Sequence, residues 1–209
     1  VWQHAKEFRN AVLFVVNKLD NENADFDKVI AAARARFSHD LLPVQFPVRQ
    51  GLQFESVIDL LRMKMLQFAR DGKGKYTEAD IPADQKAKAE EMREQLIEQV
   101  AESDETMLNL FFEHGTLSDP ELKRALRNGI GTRKIFPLLC SAAGQNMGIA
   151  PILDFIVEYC PNPAEMGDVA GMAAGSNHEG GKEVIVKCDP RGQPAMFVFK
   201  TVSEPHVGE

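Results

Sequence analysis

No apolar run in this chain approaches the roughly 20 residues that a membrane span requires, and no charged segment followed by an apolar one opens it. A soluble, unexported, cytoplasmic protein is expected. Cysteine is scarce: Cys140, Cys160 and Cys188 are odd in number and lack metal-type spacing. That argues against a disulfide framework or a zinc site and fits a reducing compartment. Positive charge is short too, with 24 Lys and Arg against 31 Asp and Glu and a net charge of −7. Without a Lys/Arg stripe there is no electrostatic footprint for nucleic-acid phosphates. The histidines, His4, His39, His114, His178 and His206, show no H-E-x-x-H pairing and no spacing that suggests a Ser/His or Cys/His site, so they read as surface residues.

The composition that remains, 44% hydrophobic and 26% charged, is that of an ordinary globular protein. Its negative charge is concentrated: residues 83–113 hold nine acidic against three basic residues, a net of −6. Glu90, Glu91, Glu94, Glu98 and Glu102 lie along one predicted helix there, a solvated face or, more sharply, a protein-docking face. The chain starts at Val1 rather than Met and residues 197–209 read as an unfinished strand and turn, so a piece of a longer protein is expected.

Two strand-loop-helix units stand out. Residues 2–9 read as the end of a helix, and residues 11–16 (AVLFVV) as a strand buried on both faces, as in a parallel sheet. Asn17-Lys18-Leu19-Asp20 follows at its carboxyl end, and Phe26, Val29, Ile30, Ala33 and Phe37 then recur at helical spacing. Residues 135–140 (IFPLLC) are a second buried strand, Ser141-Ala142-Ala143-Gly144 its exit loop. Residues 147–159 form a helix with Ile149, Ile152, Leu153, Ile156 and Val157 on one face, stopped by Pro161 and Pro163. In open α/β sheets ligands bind beyond the carboxyl ends of the strands, so both loops could face one pocket.

The stretch between the units, about 38–131, is too long for a crossover and must carry its own structure. Residues 43–48 look like an edge strand bracketed by prolines, residues 58–68 like one strand with a bulge, and residues 82–112 like one helical stretch. Ser118-Asp119-Pro120-Glu121 matches a capping box, with Gly129 as the expected helix stop. A small α/β insert follows from this. Residues 164–182 read as a glycine-rich linker, and residues 183–187 and 195–202 as strands of a β-rich domain.

Asn-Lys-x-Asp after a buried strand suits guanine. The Asp20 carboxylate can accept from the ring N1–H and the exocyclic amine together, a pair that adenine does not present. Asn17 can donate to N7 and tie neighbouring loops together, and the aliphatic stem of Lys18 can cover the base. The Ala142 N–H can reach O6, and the Ser141 hydroxyl can steady Asp20. The phosphate-binding spacing G-x-x-x-x-G-K-[ST] does not occur; residues 175–182 only approximate it. Asp71-Gly72-Lys73-Gly74 and Asp189-Pro190-Arg191-Gly192 spell D-x-x-G after the guanine motif, the wrong order for a γ-phosphate contact, and read as turns.

These residues resemble the translational GTPases of the elongation factor G type. VWQHAKEFRNAVLFVVNKLD is similar to their helix, strand and guanine motif. FPVRQG, FESVIDLLRMKM and YTEADIP resemble their insert domain, LCSAAGQNMGIAPILDFIVEYCPNP their closing loop and helix, and AMFVFKTVSEPHVGE the opening of their second domain.

The resemblance implies an α/β fold: the C-terminal half of a P-loop GTPase domain with a parallel sheet, an α/β insert, and the start of a β-barrel domain. The expected boundaries are 1–37 and 132–163 for the GTPase part, 38–131 for the insert, 164–182 for the linker and 183–209 for the barrel. It implies GTP and GDP as ligands, read by Asn17, Lys18, Asp20, Ser141 and Ala142. Mg2+ and every catalytic residue would lie outside this chain. The implied partners are the ribosome, with the insert docking a stalk protein. A protein-interaction module is the alternative from another class. The resemblance implies GTP hydrolysis on the ribosome by the whole protein to move tRNA and mRNA, with a paralogue acting in recycling or ribosome protection as the alternative, towards which the departures at Asn21-Glu22-Asn23 and Ala143 from the usual family pattern lean.

Overall fold

Short elements joined by side-chain capping build the first half of the fold. In a computed structural model, residues 1–172, 182–192, 194, 196, 200 and 201 are described, in two compact units divided after Pro161. Helix α1 (Trp2–Glu7) carries Trp2 into a ring cluster with Phe14, Phe37 and Phe136, centroids 5.2–5.7 Å from the indole. Strand β1 (Phe14–Val16) is only three residues long. It is not buried on both faces as its composition suggested, because Val15 is 42% exposed while Val16 is buried. Successive side chains of a strand point to opposite faces, and Val15, on an edge strand, stays partly exposed although Leu139, its partner on the same face, is buried. Helix α2 (Phe26–Arg36) starts where Asp25 Oδ1 accepts the Lys28 N–H at 3.0 Å, and it buries Phe26 and Ile30.

Residues 41–47 divide between two sheets. Strand β2 (Leu41–Pro43) belongs to the parallel sheet, whereas β3 (Gln45–Pro47) is the edge of an antiparallel sheet. The expected single strand over 43–48, and an insert beginning at 38, are corrected accordingly. Val44 is the seam: its N–H donates to the Leu138 carbonyl and its own carbonyl accepts the Leu60 N–H. The antiparallel sheet continues with β4 (Ser56–Asp59), β5 (Lys64–Phe68) and β6 (Tyr76–Ala79) in the order β3-β4-β5-β6. The stretch 58–68 is therefore a hairpin, not one bulged strand. The Asp59 carboxylate accepts the N–H groups of Leu61 and Arg62, and Met63 takes φ +52, which together reverse the chain.

Helices α3 (Ala83–Glu102) and α4 (Glu105–His114) replace the expected continuous helix. Asp104 interrupts it by turning its carboxylate onto the N–H groups of Thr106 and Met107, which starts a new helix. Helix α5 (Asp119–Gly131) has the expected capping box, the Glu121 carboxylate accepting the Ser118 N–H at 2.9 Å. Gly129 does not stop α5. It lies within the buried face, where an added Cβ would collide with Ile135 Cδ1.

Strand β7 (Phe136–Cys140), buried throughout, is the centre of the parallel sheet β1-β7-β2. Helices α2 to α5, the helix that follows β7 and both sheets contribute side chains to one hydrophobic core around it. Helix α6 (Ile149–Tyr159) buries Pro151, Ile152 and Phe155. The face expected from the sequence is partly wrong: Leu153, Ile156 and Val157 are exposed, Val157 by 82%.

In the second unit Asn162 and Glu165 form a capping box ahead of β8 (Val169–Met172), which pairs antiparallel with β9 (Glu183–Val186). Within the linker expected over 164–182, residues 164–166 are thus a capped turn and residues 169–172 a strand. Most of the strand expected over 195–202, and most of the approximate phosphate spacing over 175–182, lie outside the described residues. No described helix is long and apolar enough to cross a membrane.

Candidate base-reading site

The register of β1 and β7 pairs Val16 with Cys140, so the two exit loops leave the sheet side by side. Backbone bonds join them directly: the Ser141 N–H donates to the Val16 carbonyl at 2.9 Å, and the Leu19 N–H to the Ser141 carbonyl at 3.2 Å. Leu19 is buried, and its carbonyl accepts the Gly51 N–H at 2.8 Å. The loop is anchored through its one apolar member. Its polar members, Asn17, Lys18 and half-buried Asp20, stay outside the core.

Asn17 knits the two loops. Its Oδ1 accepts three donors: the Lys18 N–H at 2.8 Å, the Ser141 hydroxyl at 3.1 Å and the Ala143 N–H at 3.0 Å. Three donors on one oxygen fix which way the amide faces, so the NH2 group, without a partner among the described residues, is left as a donor. Lys18 holds φ +61, a left-handed turn that lets the chain bend sharply after Asn17. The Asp20 carboxylate likewise has no partner among the described residues. A donor pair and an acceptor pair therefore stand on one loop, a set matched to a planar ring that carries both kinds of group.

Two expected contacts differ. The Ser141 hydroxyl serves Asn17, not Asp20, because the Asn17 amide oxygen lies across the loop pairing from it. The Ala142 N–H donates to the Met147 carbonyl at 3.0 Å, and the Met147 N–H returns a bond to the Ala142 carbonyl at 3.2 Å. A ligand oxygen reaching for Ala142 must share or displace that carbonyl.

Three further residues, which the sequence does not single out, shape the site. Gly148 has φ +81, and a Cβ there would overlap the Cys140 carbonyl oxygen, so only glycine fits where the loop enters α6. Its position just before an apolar helix was the available signal. Asn146, at φ +56, closes the turn. Gly51 carries no signal in the sequence. Among the described residues no group of three or more His, Cys, Asp or Glu could hold a metal ion.

No family model matches the chain. Elongation factor G of Thermotoga maritima is 32% identical over 210 residues, covering 100% of this chain and 30% of that protein. A crystal structure of a Thermus thermophilus protein is similar in fold, with a TM-score of 0.72 at 23% identity, over 81% of this chain and 25% of that one. Along its whole length this chain resembles elongation factor G, and it spans about 30% of the relative it matches.

Proposed function

We propose that this chain is the guanine-reading part of a translational GTPase of the elongation factor G type. The Asn17 cross-link carries the reading: its oxygen is used up in holding the two loops together, which leaves its NH2 group and the Asp20 carboxylate to a ligand. On a guanine ring, Asp20 accepts from N1–H and the 2-amino group, Asn17 donates to N7, and the Lys18 stem lies on the ring face. Ser141 acts through Asn17. The Ala142 N–H meets O6 by sharing its bond to Met147. Adenine is rejected because its amine would face that donor and leave Asp20 unpaired.

In this reading GTP or GDP is held at its base here, and at its phosphates and Mg2+ by residues outside this chain. Hydrolysis, work on the ribosome in moving tRNA and mRNA, and a cytoplasmic location belong to the whole protein, as does docking of a stalk protein by the insert. In the same reading β9 (Glu183–Val186) belongs to the opening of a β-barrel domain. The resemblance to elongation factor G over the whole chain supports this, as does the parallel sheet that sets both loops at one edge.

Asp20→Asn, in the full-length protein, tests the reading. The amide puts a donor opposite the guanine 2-amino group, so GTP binding should weaken at least about tenfold. Xanthine has a carbonyl there, and xanthosine triphosphate should gain. Guanine affinity kept within about twofold, with no gain for xanthine, means that Asp20 does not read the base.

A further inference from the structure

The turn that follows Ser141 is gripped from outside by the insert. Strands β5 and β6 meet in a loop closed by the Ala69 N–H on the Lys75 carbonyl, and in it Gly72 and Gly74 take φ of +70 and +73. Asp71 Oδ1 accepts the Lys73 N–H at 2.9 Å, giving the loop a defined shape. Into that shape fits Asn146. Its Nδ2 donates to the Gly72 carbonyl at 3.0 Å, and a Cβ on Gly74 would stand only 2.9 Å from the same nitrogen.

Asn146 is also the corner of the turn. Its own N–H donates to the Ala143 carbonyl at 3.0 Å, and its neighbour Met147 exchanges both backbone bonds with Ala142. Beyond it, buried Met147 and close-packed Gly148 are fixed by the core. Before it, Ala143, Gly144 and Gln145 are exposed. The side chain of Asn146 is thus the tether that joins the exposed stretch of this turn to the β5–β6 loop.

We propose that Asn146 is a positioning residue for guanine recognition, pinning the Ser141–Met147 turn to the β5–β6 loop of the insert so that the Ala142 N–H is presented to the base already ordered. This rests on the guanine reading above. A turn ordered before binding loses less entropy when the base arrives, so the pin slows release of the nucleotide. It also gives the insert a direct hold on the site: whatever displaces the β5–β6 loop loosens the base.

The test is release of a fluorescent GDP from the full-length protein, followed by stopped flow. Asn146→Gly keeps the left-handed corner and removes the donor. Asn146→Asp keeps the shape but turns an acceptor on the Gly72 carbonyl. A third variant replaces residues 70–74 by an Asn-Gly turn, which removes the gripping loop and preserves the hairpin. Each should speed GDP release roughly three- to tenfold, the worth of one hydrogen bond. Asn146→Gly in the shortened-loop background should add nothing further, since both remove the same contact. Release within twofold of wild type in folded Asn146→Gly or Asn146→Asp protein, or effects that add in the double variant, overturns the inference while leaving guanine reading intact. Failure of the wild-type protein to hold GDP removes both.

Discussion

Asp59 shows how one buried charge is used to reverse a chain. It is only 8% exposed, at the end of β4, and its carboxylate accepts the N–H groups of Leu61 and Arg62. Burial pushes its pKa above the usual carboxylate value, while those two N–H groups and the Arg62 charge pull less strongly the other way. A carboxyl whose folded pKa is raised favours the folded state while protonated, and that contribution is lost as pH rises through the folded pKa. At neutral pH the charge is therefore a cost, and the two hydrogen bonds are the gain. Asp59→Asn keeps the acceptor without the charge and should leave stability at pH 7 unchanged or higher. Asp59→Ala leaves two N–H groups unpaired and should cost about 1–3 kcal/mol. Any advantage of Asn over Asp should shrink as the pH is lowered. Urea denaturation of the three proteins between pH 4 and pH 7 reads this directly, and an Asn variant as damaged as the Ala variant would refute it.

Helix α5 depends on a residue that helices usually disfavour. Leu122, Ala125, Leu126, Gly129 and Ile130 form its buried face, and the chain returns over that face because the Gly129 carbonyl accepts the N–H groups of both Lys134 and Ile135. Ile135 then lies where a side chain on residue 129 would be. An ordinary Gly→Ala change inside a helix gains up to about 1 kcal/mol. Gly129→Ala should instead destabilise by about 1–3 kcal/mol, since Ile135 must leave its packed position. Trimming the obstacle with Ile135→Val should recover part of the loss, so that the double variant is less damaged than the sum of the two singles. Thermal melts of the four proteins decide it, and simple additivity would show that the two side chains do not compete.

Across the first unit, the antiparallel sheet and α5 are tied to α6, and the β5–β6 loop to the Ser141–Met147 turn. Arg62 and Lys123 both reach Glu158 at 3.2 Å, and the Tyr76 hydroxyl donates to Asp154 at 2.9 Å. These exposed pairs contribute little individually. Their role is to set orientation between an antiparallel sheet and the helix that follows the site. In the proposed reading, base contacts alone must offset the entropy of ordering a nucleotide whose phosphates this chain does not hold, and transition-state stabilisation in phosphoryl transfer comes from phosphate and metal contacts. The 209-residue chain by itself should therefore hydrolyse no GTP above background and bind GDP too weakly for routine calorimetry. Micromolar affinity for GDP would contradict this, as would turnover by the purified chain.

The sequence by itself determined the features that depend on near neighbours. The apolar runs around Val15 and Leu138, the polar loop from Asn17 to Asp20 and the Ser118 capping box are legible because strand burial and helix capping act within a few residues. It also placed both loops at strand ends. Only the tertiary structure decided where equally apolar segments went. Leu42 and Phe46 look alike in the sequence, yet Val44 sends them to different sheets through bonds to Leu138 and Leu60, both distant along the chain. Leu60, Leu61, Arg62 and Met63 include no turn-forming residue, and the reversal there is set by the Asp59 carboxylate. Which face of α6 is buried depended on what packs against it, and periodicity alone chose partly wrong. The same holds for the Ala142 N–H, because a backbone donor is spent on whichever acceptor the folded chain brings nearest. Here that acceptor is the Met147 carbonyl, held in reach by Asn146 and Gly148.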